Sequence, residues 1–456
     1  MGKRVSILLL LGFFFFWGCK TLETPPPAPP ETGPEAAPFD EVEQALRLGD
    51  SRGALESLET YSQENPGDLD AKVLSAALLM SEGETVRARR LLDEVLEAHA
   101  GHREALLNLA LLEGFEGNRE AQEAVLLRLA EIFPDDADVM ASLGDFHAAG
   151  NQKSAAREAY EKALTLDEEN ITALSGLGTL LLTEKKYARA EDLFLKAVSL
   201  YPQDPYAFSD LSRARIALGR YEEARENLDD AVDLAPDDYW LRMDRAKLLL
   251  NQLLNAGAAL EDLNRAVELD PDYFYAYIFR AGILEERGRF SEAIDDYRRL
   301  MALRPDYYFG YSSLANLLYL AEEWDEARRN YEKAFGYEPD WGFKLLSGLT
   351  YYRAGRAAEG KAYLQKILDQ IPRDDHFYAL VRMCIDPGYE VFTVRAINGE
   401  NDHFLKTRMF FYLGAVMQAQ GGDLLAMDYY RRVRENNLLG LYERNLALGE
   451  LKKFEE

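Results

Sequence analysis

The chain has 456 residues, 48% of them hydrophobic and 29% charged, which is the balance of a folded globular protein and not of a disordered or membrane-embedded one. Acidic residues outnumber basic ones by 79 to 52, for a net charge of -27, so the surface repels phosphate backbones and anionic headgroups alike. Nucleic-acid binding is therefore not expected, and any membrane attachment needs a device other than charge.

The first element in the chain is such a device. Lys3 and Arg4 precede an apolar run from Val5 to Trp17, which has the length of a signal-peptide core and is too short to span a bilayer. The run ends in Phe16-Trp17-Gly18-Cys19. A small residue before a cysteine, directly after an apolar run, resembles the lipobox of bacterial lipoproteins. That family places a small aliphatic where Phe16 stands and a small residue where Trp17 stands, so the match is a loose one. The resemblance implies a signal peptide over residues 1–18, cleavage before Cys19, and lipidation of Cys19; the alternative is an ordinary cleaved signal that contains a cysteine. Residues 19–38 then form a tether, "KTLETPPPAPPETGPEAAP" after the cysteine, Pro-rich and semi-rigid with nothing to bury. Proteins resembling enteric lipoproteins stay in the inner membrane when Asp follows the cysteine; Lys20 stands there, which favours the periplasmic face of the outer membrane over the inner membrane. The second cysteine, Cys384, has no partner for a disulfide once Cys19 is acylated, and its apolar surroundings in "ALVRMCIDP" predict a buried small hydrophobe.

From residue 36 to 372 the chain repeats. Pro66, Pro134, Pro202, Pro236, Pro271, Pro305, Pro339 and Pro372 mark a period of 34 residues with one slip either way. Twelve positions before each slot lies a small residue, Ala54, Ala88, Ala156, Ala190, Ala224, Ala259, Ala293, Ala327 and Gly360, with Gln122 the exception. Eight positions before it lies a large one, as in Leu58, Tyr160, Phe194, Tyr297 and Tyr331. The rhythm is clearest in "ITALSGLGTLLLTEKKYARAEDLFLKAVSLYP", and it resembles the tetratricopeptide repeat family. The resemblance implies an all-α, superhelical solenoid of about 11–12 helix-turn-helix repeats, ten of them within residues 36–372. Each unit alternates an amphipathic helix A and helix B; Gly49, Gly83, Gly117, Gly219 and Gly288 fall where helix A must end in a left-handed conformation. Residues 373–456 hold a blurred helix pair broken at Pro387-Gly388, a returning repeat with Gly414, Ala426 and Tyr430 in register, and a closing helix from Leu438.

Catalytic signatures do not emerge from the pattern. Gly176-x-Gly178 lies inside a helix A with no strand before it, so helix packing explains it. His99 and His102 flank a turn, a poor metal site with two ligands at most. Neither an enzyme nor a cofactor is expected.

The one irregular signal is aromatic. Numbered from the third residue after each turn proline, slots 2, 5, 9 and 12 of helix A face the concave groove in proteins of this family, and slot 4 packs inside. Slot 2 reads Asp70, Glu104, Asp138 and Thr172, then Tyr206, Trp240, Tyr275, Phe309 and Phe343. Tyrosine follows the same division, with 16 of 26 between Tyr201 and Tyr352. Slot 9 adds Arg213, Lys247 and Asn316 as donors beside the rings. Aromatic rings bordered by cationic and amide donors have the composition of a protein-binding surface; packing between repeats is the competing explanation. Slot 5 reads Ser209, Met243, Ile278, Ser312 and Leu346, which lacks the lysine of the chaperone-tail clamp. The sequence thus predicts a lipid-anchored periplasmic scaffold that binds a segment of another envelope protein. The alternative is an accessory protein holding a small apolar solute or lipid beside a transporter.

Overall fold

A computed structural model of the protein describes residues 41–42, 44–46, 50–436, 438 and 441–455; the expected signal sequence, Cys19 and the tether lie outside them. Among the described residues there is no strand, and antiparallel helix pairs follow one another, for example Ile171–Thr183 with Tyr187–Leu200 and Pro205–Ala217 with Tyr221–Leu234.

Local chemistry sets where each pair starts and turns. Asp68, Asp136, Asn170, Asp204 and Asp238 stand at helix-A N-caps, and their side chains accept hydrogen bonds from backbone N–H groups that have no intrahelical partner. At the A-to-B turn the backbone is left-handed. Gly83, Gly117, Gly219 and Gly288 take φ between 71° and 78° there, which is cheap only for glycine. Where the repeat lacks that glycine, Asn151, Lys185, Leu254 and Glu322 adopt the same sign of φ, so the repeat geometry overrides the preference of the residue.

Packing between helices follows the small and large slots. The alanines from Ala54 to Ala327 are fully buried, and so are Leu58, Leu92, Phe194, Leu228, Leu263 and Tyr331; each such large side chain contributes about 1.5–3 kcal/mol by burial. The Gly176-x-Gly178 motif belongs to this packing, because a Cβ on Gly178 would lie 2.4 Å from the Phe194 ring and one on Gly176 equally close to Tyr160. The exceptional Gln122 is compensated across the pair: Gly114 faces it, and a Cβ there would lie 2.7 Å from the Gln122 amide nitrogen.

The chain divides into two compact units, one ending at Leu269 and the other beginning at Asp270. The first unit is a stack of regular helix pairs. The second starts the same way, from Phe274–Glu286 to Ala357–Leu368, and then departs from it. His376–Ile385 is followed by a short 3-10 turn at Pro387–Tyr389 and by Glu390–Gly399. The longer His403–Ala419, then Asp423–Asn436 and Tyr442–Glu455, complete the unit.

Candidate functional site

In the first unit, Tyr206 and Trp240 occupy the first turns of successive A helices, Pro205–Ala217 and Tyr239–Asn251. The Tyr206 hydroxyl donates to the carboxylate of Asp238, which also caps the helix carrying Trp240 by accepting from the Trp240 and Leu241 N–H groups at 2.7 and 3.1 Å. Burial pushes the Asp238 carboxyl above its ordinary range, against the pull of those donors. Tyr206 is thereby fixed as a half-buried bridge between repeats, whereas Trp240 is 46% exposed, with its ring 5.2 Å from that of Tyr239.

Arg213 and Lys247 line one cleft between the same two helices, a cavity of about 260 Å³ shared with Ser212, Asp244 and Leu248. Each cation pairs with an acid three residues earlier, Arg213 with Asp210 at 2.9 Å and Lys247 with Asp244 at 3.1 Å. Burial keeps the Asp210 carboxyl above the usual range although Arg213 lowers it. The two cations are therefore partly neutralised.

The second unit presents its rings differently. Helices Phe274–Glu286 and Phe309–Leu320 have Tyr273 and Tyr308 at the N-cap, and neither side chain makes a cap hydrogen bond. Rings gather there instead. Tyr275 is 47% exposed and lies 4.0 Å from the Phe274 ring; Phe309 is 54% exposed and lies 4.1 Å from Tyr308. The guanidinium of Arg304 sits 4.6 Å over Phe274. Exposed Tyr337 stacks on both Tyr308 and Tyr311 at 5.9 Å, and the Lys333 ammonium lies 4.9 Å over Tyr311. The slot-4 tyrosines, Tyr277 and Tyr311, are buried, and each donates its hydroxyl to its own turn proline, Pro271 or Pro305, at 3.0 Å.

Two of the expected groove residues are not available. Phe343 is only 4% exposed: its ring is stacked between Tyr331 and Tyr442, because the C-terminal helix covers that slot. Asn316 accepts a hydrogen bond from the buried Tyr331 hydroxyl at 2.9 Å, so its amide oxygen serves the core. In their place the structure supplies Tyr308, Tyr337, Arg304 and Lys333. The run Tyr307-Tyr308-Phe309 carried that signal, but slot numbering directed attention to its third ring alone.

The remaining candidates are structural. His102 caps Arg103–Phe115, its Nδ1 accepting from the Ala105 N–H at 3.4 Å. Cys384 is buried, and burial pushes its thiol up to about 12, far from a nucleophile at neutral pH.

Sequence profiles described as tetratricopeptide repeat match residues 45–112 and, in overlapping segments, 114–205, 209–308 and 313–375. No curated protein sequence matches the chain significantly. Among solved structures, PilF of Pseudomonas aeruginosa is 23% identical over 45% of this chain and 92% of its own, with a TM-score of 0.40. YrrB, described as a TPR protein with an unusual peptide-binding site, is 23% identical over 41% of this chain and 95% of its own, with a TM-score of 0.33. A protein named MamA is 19% identical over 37% of this chain and 92% of its own, also with a TM-score of 0.33.

Proposed function

We propose, from the premise that this chain belongs to the tetratricopeptide repeat family, that it is a lipid-anchored scaffold of a bacterial envelope whose later repeats hold a segment of another envelope protein. Repeats of this family build protein-interaction scaffolds, and that much of the function is general to it. The finer reading is carried by one observation. Trp240, Tyr275 and Phe309, at the same slot of successive repeats, are each about half exposed, and in two of those repeats a ring stands where a polar cap stands elsewhere. A rigid, half-exposed aromatic loses little conformational entropy on binding, and each one buried contributes about 2 kcal/mol.

The apolar-solute alternative is not favoured. The cleft between Pro205–Ala217 and Tyr239–Asn251 holds about 260 Å³ and sets Arg213, Asp244 and Lys247 beside apolar Ile216, Leu228 and Leu248, whereas small-ligand sites run from about 300 Å³ upward. For the anchor, the support is the sequence Lys3-Arg4, the apolar run, Gly18-Cys19 and the Pro-rich stretch after it. No helix among the described residues is long and apolar enough to cross a membrane. Lys20 after Cys19 supports the periplasmic face of the outer membrane.

Affinity capture from membrane extracts with residues 21–456 tests the binding reading. A second bait carries Trp240→Ala, Tyr275→Ala and Phe309→Ala, with its helicity checked by circular dichroism. A protein retained by the first bait and lost by the folded second is the expected result; identical captures by both would remove the aromatics from the site. The anchor is tested separately by metabolic labelling with palmitate, which Cys19→Ala is expected to abolish.

A further inference from the structure

The helix Tyr442–Glu455 follows Asp423–Asn436 as the next helix of the solenoid, yet its inner face meets A helices far earlier in the second unit. Tyr442 stacks on Phe343 with ring centroids 6.1 Å apart and donates to Asp340 at 3.2 Å. Leu320 packs over Gly449, where a Cβ would lie 2.7 Å from it. Lys453 pairs with Glu322 at 3.1 Å. These partners belong to Phe309–Leu320, Trp341–Arg353 and the turns beside them. Slot positions Phe343, Leu346, Thr350 and Tyr319 are all buried, although the family's geometry opens those slots to a ligand.

The chemistry of the inner face is unusual for a cap. A terminal helix that only seals a solenoid needs an apolar inside and a polar outside. Here Leu446, Ala447 and Leu451 are buried together with two carboxylates, Glu443 and Glu450, which have no exposed surface. Seven residues separate them, two helical turns, so they share a face. Glu443 accepts from Arg408 at 2.5 Å and from the Tyr412 hydroxyl at 3.0 Å; Glu450 accepts from Arg353 at 3.3 Å and from the Gln418 amide at 2.7 Å. Buried ion pairs add little stability over apolar packing of the same shape, but they discriminate sharply for register and partner.

We infer that the groove around Phe343, Arg353 and Arg408 is a recognition site for an acidic amphipathic helix, occupied in cis by the chain's own Tyr442–Glu455. The partner that fits is a helix presenting Tyr-Glu and, seven residues after that glutamate, a second Glu, with leucines between them on the same face. Such a segment competes with the C-terminal helix, and its apparent affinity is lowered by the fraction of molecules in which that helix is closed. This site is distinct from Trp240, Tyr275 and Phe309, so the two readings fail separately.

The test uses a fluorescent peptide of residues 441–455 and the chain from residue 21. Releasing the cis helix by Leu446→Asp with Leu451→Asp is expected to strengthen peptide binding at least tenfold over the unaltered chain. Adding Arg353→Glu is expected to abolish that binding, and a peptide with Glu450→Arg to restore it. Hydrogen exchange of the unaltered chain is expected to show Tyr442–Glu455 opening before Trp341–Arg353. Equal binding by the released and unaltered chains overturns the inference. So does loss of folded second-unit repeats in the released variant, or simultaneous exchange of the two helices, since either makes the helix a structural cap. Binding seen only as a dimer of the chain would make the occupant a second copy and overturn the assignment to a partner helix.

Discussion

The two units use one repeat but open some of its helices in opposite ways. In the first, five A helices open on Asp or Asn side chains that satisfy free backbone N–H groups, and four successive slot-2 positions, Asp70 to Thr172, are polar. In the second, two successive A helices open on Tyr273 and Tyr308 with no such cap, and the freed positions are filled by rings. A missing cap costs about 1 kcal/mol, so the second unit gives up local stability at the same places where it exposes Tyr275, Tyr308 and Phe309. Stability alone does not account for that exchange; the proposed binding surface would. Trp240, at the last regular pair of the first unit, shows the transition: its helix keeps the Asp238 cap and already displays the ring.

If the units differ only at their surfaces, their cores must respond alike. Phe194→Ala in the first and Tyr331→Ala in the second each remove a fully buried ring, and each is expected to cost about 3–5 kcal/mol in urea unfolding. Tyr331→Phe keeps the ring and loses only the bond to Asn316, so it is expected to cost about 1 kcal/mol. A second-unit core that tolerates Tyr331→Ala would break the comparison at its base.

The caps separate the units next. Asp204→Ala is expected to lower stability by about 1 kcal/mol and to leave partner capture unchanged. Tyr308→Ala is expected to do the reverse: it loses no cap bond, so urea midpoints shift little while capture weakens several-fold. Matching losses of stability from both substitutions would return the tyrosines to a packing role.

The smallest effect concerns pH. Burial raises the Asp238 carboxyl above its unfolded value, so its contribution to folding is complete below the unfolded pKa and is lost as pH rises through the folded one. Asp238→Asn keeps the acceptor without the charge. The variant is therefore expected to gain slightly on the parent at pH 7.5 and to lose that advantage near pH 4, measured as urea midpoints.

Much of the architecture was legible because the period that builds it is local. The Ala and large-residue slots, the left-handed turns and the buried slot-4 tyrosines all concern neighbours in one or two repeats, and sequence spacing encodes such neighbours directly. What spacing missed came from longer range or from competing partners. Phe343 is covered by Tyr442, which lies on a helix about a hundred residues later, and no slot number anticipates that. Asn316 reads as a groove donor until Tyr331 is seen to use it. Arg213 and Lys247 each have an acid three residues earlier, a helical pairing that the sequence did contain. Nothing in the composition near Leu269 and Asp270 announces the division between the units, because the turn there follows the same repeat as the others.

The most direct test compares slot 2 along the whole chain. A photo-crosslinking amino acid is placed singly at positions 70, 104, 138, 172, 240, 275 and 309, and crosslinked products are collected from cells. The expected result is that positions 240, 275 and 309 each trap partner protein and that the four polar positions trap none. Crosslinks spread evenly over both sets, or confined to positions 70 to 172, would contradict it.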